Sequence, residues 1–201
     1  QATIQIIKEK KKLGTAGSIN NIKKKLDKTF FVINGDTFFD INLRDLEKIT
    51  NDAKSDIGVS IVSSRDHKGY KSYKINKLNK VKDYTFTKSR LKFVCGGIYF
   101  FKKKVFNRFK KLKILDIDKD LIHRNLKKKI IAKEYKSDFI DIGSIKSLKK
   151  SKSFIRKKNI RPCFFLDRDG VINEEKNYVH KKKDFSWRKN IFKAVKLLND
   201  K

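Results

Sequence analysis

The sequence predicts an α/β fold, and three observations carry that expectation. Strand-like and helix-like segments alternate along the chain, the apolar runs are short and bounded by Gly, Asn or Asp, and several of those runs end by delivering an aspartate onto a turn. Alternation of this kind implies a mixed or parallel sheet covered by helices.

Taken in order, "ATIQII" reads as a short strand, and "AGSINNIKKKL" as a helix with Ile19, Ile22 and Leu26 on one face. "TFFVING" is a buried strand running into a turn, "NLRDLEKIT" a helix and "DIGVSIV" a strand. "YKSYKIN" and "KVKDYTF" are extended stretches flanking a polar turn. "LKFVCGGIYFF" is a strand interrupted by two glycines, followed by helical "KKVFNRFKKL" and "DKDLIHRNLKKK". "IIAKEYK" and "DFIDIG" are strands. From 144 to 161 the chain becomes basic and serine-bearing, with a weak helical pattern through Ile145, Leu148 and Phe154; Pro162 then opens a fresh strand. A domain boundary is expected near 157–161.

Composition narrows the function classes. A hydrophobic fraction of 38% with 16 Phe is enough for a packed core. No apolar run approaches the roughly 20 residues of a membrane span, so no membrane partner is expected. Cys95 and Cys163 sit far apart in apolar runs and read as buried free thiols of a reducing compartment, which makes the expected location cytoplasmic. The formal charge of +31 raises a nucleic-acid partner. The lysines, however, are spread in short clusters over the whole chain, with no aromatic-interleaved basic repeat, so they read as a solvated surface and nucleic acid is not the expected partner. The alternatives are a basic phosphate- or RNA-binding module and a degenerate pseudo-enzyme. The sequence has no Met, begins at Gln1 and closes on the helical pattern "KAVKLLNDK" without a stop signal. It is expected to be an internal piece of a longer protein. Oligomeric state is not legible.

Two constellations carry chemistry. In the first, "LGTAGS" at 13–18 joins a strand to a helix through two glycines, a place where backbone amides can approach a ligand. "FFVINGD" then brings Asp36 to the end of a buried strand, and "DFIDIGS" does the same for Asp141. Carboxylates at strand ends sit where open α/β sheets bind ligands, and hard oxygens suit Mg²⁺ with phosphate. In the order "LGTAG", "NGD", "GGIYFF", "FIDIGS", residues 1–158 resemble the sugar-1-phosphate nucleotidyltransferases, especially the mannose and heptose 1-phosphate guanylyltransferases. The resemblance implies an incomplete doubly wound domain whose substrates are an NTP and a sugar 1-phosphate. It places Gly14, Thr15, Ala16 and Gly17 against the nucleobase. Asp36 contacts metal and nucleotide phosphates, Asp141 completes that metal site, and Gly96 and Gly97 line the sugar pocket. Cys95 stands where the family often has Asn. The family's glycine-rich G-x-G-T-R-L loop and its K-P lysine, which clamp the triphosphate, are not in this sequence, so the 201-residue chain is expected to be inactive in transfer.

In the second constellation, "FFLDRDGVIN" delivers Asp167 and Asp169 onto Gly170. One carboxylate can attack phosphorus; a second, two residues on, can protonate the leaving group and then activate water. Residues 159–201 resemble the start of a haloacid-dehalogenase-type phosphatase of the heptose bisphosphate and histidinol-phosphate branch, with a Rossmann-like first strand, loop and helix. The resemblance makes Asp167 the nucleophile and Asp169 the acid/base. It has both residues hold Mg²⁺ and places Glu175, Lys176, Asn177 and Tyr178 against a sugar bisphosphate. The family's zinc loop would lie in a later part that this sequence does not contain. The combined expectation is a bifunctional enzyme of nucleotide-sugar synthesis.

Overall fold

The computed structural model describes residues 3–64, 72–85, 92–109, 114–125, 130–159, 164–176 and 179–199. The chain divides into two compact units, Gln1–Ser151 and Lys152–Lys201. The boundary expected at 158/159 falls at the end of a helix, Ile145–Asn159.

The first unit is built on a four-stranded sheet of β1 (Thr29–Ile33), β3 (Ile57–Ser64), β6 (Lys92–Lys102) and β7 (Ile130–Glu134), in the order β1-β6-β3-β7. Strands β3 and β7 are parallel, and β6 runs antiparallel to both β1 and β3. The sheet is therefore mixed, with β1, β3 and β7 sharing one direction. Two smaller antiparallel sheets accompany it. One pairs β2 (Thr37–Phe39) with β8 (Phe139–Asp141); the other is the hairpin of β4 (Ser72–Ile75) and β5 (Val81–Thr85). The hairpin turn is closed by the Asn76 side chain, which accepts from the amides of Leu78 and Lys80, with Asn79 in the left-handed region.

Strand β6 shows why both faces of the sheet are covered. Alternate residues point to opposite sides, so Tyr99 and Phe101 join a core with Ile57, Val59, Ile61 and Ile130, while Ile98 and Phe100 join a second core with Phe39 and Leu46. Helix α1 (Thr15–Ile22) contributes Ala16 to the first core, and α2 (Leu43–Asp52) contributes Leu46 to the second. Asn42 caps α2 by accepting from the Arg44 amide. The helix approaches β3 so closely that a Cβ on Gly58 would lie 2.1 Å from Thr50 Oγ1.

Four local expectations need correction. Residues 3–7 of "ATIQII" form no strand; Ile4 and Ile6 are exposed, with no neighbouring strand to satisfy their backbone. "KKVFNRFKKL" gives only a 3₁₀ turn, Lys103–Phe106, because Phe106 and Phe109 turn into the core at a spacing of three. "DKDLIHRNLKKK" gives a π turn, Ile117–Ile122, followed by the 3₁₀ turn His123–Asn125. The strand expected after Pro162 is also absent over 164–167.

In the second unit, residues 164–176 and 179–199 hold a compact loop, a 3₁₀ turn at Lys182–Asp184 and α4 (Ile191–Asn199); the first part of this unit is the C-terminal end of α3 (Ile145–Asn159). Phe164, Phe165 and Leu166 are exposed, Phe165 at 94%. An apolar triplet becomes a central strand only when flanking strands hydrogen-bond it, and the described residues supply none. The phosphatase-like first strand is thus not formed here.

Candidate functional site

The glycine loop at 13–17 is held by another segment of the chain. Leu115 donates its amide to the Leu13 carbonyl at 2.9 Å, and its own carbonyl accepts from the amides of Ala16 and Gly17, both at 3.1 Å. Thr15 Oγ1 accepts from the Ile117 amide at 3.1 Å. Gly14 sits at φ 74, and a Cβ there would lie 2.5 Å from the Leu115 carbonyl oxygen. Glycine is required for a close backbone approach, as the sequence indicates, but the backbone approached is Leu115. The amides of Ala16 and Gly17 are spent inside the fold and are not offered to a phosphate.

Asp36 lies in the turn between β1 and β2, and Asp141 ends β8. The pairing of β2 with β8 places Asp141 opposite Thr37, and the Ile142 amide donates to the Asp36 carbonyl at 2.9 Å. Thr37 Oγ1 donates to the Asp36 carboxylate at 3.4 Å, and Asp141 Oδ1 accepts from the Gly143 amide at 2.7 Å. The two aspartates therefore come to neighbouring positions at one end of the small sheet. Among the described residues no group of three or more His, Cys, Asp and Glu gathers. Two hard carboxylates without a protein cage suit a cation that keeps substrate phosphates and waters as its other ligands, which is the habit of Mg²⁺.

The double glycine lies beside this pair. Gly97 is at φ 76; its carbonyl accepts from the Asn34 amide at 2.8 Å, and a Cβ would meet Thr37 at 2.9 Å. A Cβ on Gly96 would fall 2.2 Å from the Phe39 ring. The space that Gly96 leaves is filled by Phe39, so Gly96 serves packing under the site, whereas Gly97 faces Thr37, next to Asp36. Where the β3–β6 register shifts between Val59 and Ile61, the Ser60 hydroxyl donates to the Ile98 carbonyl at 2.8 Å and accepts from its amide at 3.3 Å. Sequence reading missed Ser60 and Thr37; the one available signal was a serine inside an otherwise apolar strand.

In the second unit "DRDGVIN" forms a closed loop. Asn173 and Ile172 donate their amides to the Arg168 carbonyl, Gly170 (φ 75) donates to the Asn173 carbonyl, and Arg188 binds the Gly170 carbonyl through its guanidinium. Asp167 is exposed. Asp169 accepts from Arg168 Nε and Nη2, both at 2.9 Å, and from Asn173 Nδ2 at 3.0 Å. The Arg168 hydrogen bonds first, then the Asn173 amide, hold the Asp169 carboxyl below its usual range. That arrangement favours the carboxylate, which is the form needed to activate water, over the protonated form needed to assist a leaving group. Asn173 is fully buried, and neither it nor Arg168 was singled out from sequence. Glu175 and Lys176 are exposed beside the loop, and a Cβ on Gly170 would meet the Glu175 carboxylate at an ordinary 3.6 Å. Asn177 and Tyr178, also expected here, lie outside the described residues.

The chain is similar to several known proteins. Residues 1–158 match the nucleotidyl transferase family. The D-glycero-alpha-D-manno-heptose 1-phosphate guanylyltransferase of Campylobacter jejuni is 33% identical over 136 residues, covering 67% of this chain and 60% of that protein. The chain thus spans three fifths of the length of this relative. The crystal structure of HddC from Yersinia pseudotuberculosis complexed with GMP-PN superposes with a TM-score of 0.63 at 26% identity, over 73% of this chain and 64% of that one. A separate match of 38 residues, 50% identical, is to the D-glycero-beta-D-manno-heptose-1,7-bisphosphate 7-phosphatase of Helicobacter pylori; it covers 19% of this chain and 22% of that protein. With 158 consecutive residues matching its model, the chain belongs to the nucleotidyl transferase family.

Proposed function

We propose that the protein transfers a nucleotidyl group from an NTP to a sugar 1-phosphate, with a heptose 1-phosphate and a guanosine nucleotide as the favoured pair. The observation that carries this reading is the β2–β8 pairing, which brings Asp36 and Asp141 together beside Thr37 and Gly97. In the reaction a phosphate oxygen of the sugar 1-phosphate attacks the α-phosphorus of the NTP, the bond to the β-phosphate oxygen breaks, and pyrophosphate leaves with that electron pair. Asp36 and Asp141 would hold Mg²⁺, which supplies charge stabilisation for the phosphate oxygens when bound. The loop at 13–17 supports the base, and the turn at 34–37 fixes the carboxylate next to the reacting phosphates. The relatives' names favour heptose and guanine. The reading is tested by incubating the natural full-length protein with each of the four NTPs and a heptose 1-phosphate; guanosine-diphosphate sugar and pyrophosphate are the expected products, and no nucleotide sugar with any NTP overturns it.

For the second unit we infer a phosphatase role toward a sugar bisphosphate, with Asp167 attacking phosphorus and Asp169 activating water. The short phosphatase match and the closed D-x-D-G loop support this; the boundary between the two activities that we propose is 158/159. Dephosphorylation would then generate the sugar 1-phosphate that the first unit consumes, in the cytoplasm, where NTPs are available.

A further inference from the structure

A buried polar group that plays no part in the proposed transfer lies behind the 13–17 loop. Tyr84 on β5 donates its hydroxyl to Asp118 Oδ2 at 2.8 Å. Burial first, and then the negative charge of Asp118, hold that hydroxyl protonated far above its ordinary value, so it remains a donor over the whole working pH range. Asp118 sits in the π turn Ile117–Ile122, whose leading residues carry the contacts to the glycine loop described above: the Ile117 amide to Thr15 Oγ1, and the Leu115 carbonyl to the Ala16 and Gly17 amides. π turns are rare and concentrate at functional positions. On its other side Tyr84 packs against Tyr73 with the rings tilted by 37° and their centroids 4.4 Å apart, and both rings belong to the core that holds Tyr99 of β6. Tyr99 lies two residues beyond Gly97.

We propose that Asp118, anchored by Tyr84, is a positioning residue that sets the conformation of the 13–17 loop, and so the affinity for the nucleotide. Within the loop, the Ser18 amide and hydroxyl both donate to the Gly14 carbonyl. Its left-handed Gly14 and its first helical turn are held by Leu115 and Ile117, and the Tyr84–Asp118 hydrogen bond fixes the turn to which those two residues lead. The turn is also held by Asp116, which accepts from the Lys119 amide, and by Asp120, which accepts from the Asp116 amide; the bond from Tyr84 is the one that ties it to β5. The inference rests on reading residues 13–17 as the base loop.

The test uses the natural full-length protein with the substitution Tyr84→Phe, which keeps the ring and removes the donor. The expected result is faster amide exchange at Ala16 and Gly17 and a KM for the NTP raised roughly tenfold, the size of one lost hydrogen bond to a charged group. The kcat should change less than the KM, and the KM for the sugar phosphate should stay near that of wild type. Asp118→Asn still presents an acceptor to the Tyr84 hydroxyl, though a neutral one, and should keep part of the nucleotide affinity that Tyr84→Phe loses; Asp118→Glu moves the acceptor by one methylene and should behave like Tyr84→Phe, which keeps the question open to measurement if one variant does not fold. Unchanged exchange at Ala16 and Gly17, or an equal rise in KM for both substrates in Tyr84→Phe, overturns the proposal. Wild-type protein that makes no nucleotide sugar would instead overturn the functional reading, while the exchange measurement would still decide whether Asp118 positions the loop.

Discussion

Asp141 stands across the β2–β8 ladder from Thr37, and the backbone carbonyl of Asp36 accepts the amide of Ile142. Residues from opposite ends of the first unit's sequence are thereby fixed as neighbours by backbone hydrogen bonds, so their relative placement does not depend on a bound ligand.

Replacing either aspartate by asparagine removes a charge without removing volume. Asp36 is exposed and Asp141 half-buried, so thermal unfolding of Asp36→Asn and Asp141→Asn should stay within about 0.5 kcal/mol of wild type. Transfer activity of the full-length protein should fall by roughly 100-fold or more, because a fixed charge beside the reacting phosphates is lost. Calorimetry and initial-rate measurements on the same samples separate the two effects.

Gly96→Ala should act in the opposite way. Its Cβ would be placed 2.2 Å from the Phe39 ring, inside a packed core, and overpacking of this kind costs about 1–3 kcal/mol. Adding Phe39→Leu should recover part of the loss in a denaturant titration. If Gly96→Ala is as stable as wild type, Phe39 does not fill the space beneath the site.

The Arg168–Asp169 pair gives a pH prediction with a definite sign. A carboxyl held below its ordinary value contributes stability that is present above the unfolded-state value and is lost as pH falls through the folded one. Arg168→Ala removes the first cause of the shift, so the Asp169 carboxyl should titrate at higher pH. Carbon-13 detection of the side-chain carboxyl follows this directly, and an unmoved titration would mean that Arg168 does not hold the group. The Arg168 side of the pair is exposed, so the effect on overall stability should be small.

Asp167→Asn in the full-length protein should abolish hydrolysis of a sugar bisphosphate by removing the anionic nucleophile, and should leave nucleotidyl transfer intact. Phosphate release and nucleotide-sugar formation, assayed separately, check both halves. Hydrolysis at the wild-type rate would remove Asp167 from the catalytic centre.

Much of the architecture was legible in the sequence because it rests on local pattern. The apolar runs at β1, β3 and β6, the capped helix at Asn42 and the aspartate-bearing strand ends all follow from residue type and spacing. What was not legible depends on partners distant in sequence. Strand β2 has three residues and no strand signal of its own; it exists through its pairing with β8, whose run does read as a strand. The Leu115 carbonyl occupies the amides of the glycine loop, so "LGTAG" reads as a ligand cradle in sequence and as a docked turn in the fold. The runs at 3–7 and 164–166 have strand composition and no strand, because composition supplies side chains while a ladder needs a neighbour. Ser60, Asn173 and Arg168 are polar residues whose roles appear only once their hydrogen-bond partners are placed.

The measurement that bears most directly on the central claim is nucleotide-sugar formation by the full-length protein from GTP and a heptose 1-phosphate with Mg²⁺, run beside its Asp36→Asn variant. Product and pyrophosphate are expected from the wild type, with a loss of roughly 100-fold or more in the variant. Product formed at an undiminished rate by Asp36→Asn, or none from the wild type, would contradict it.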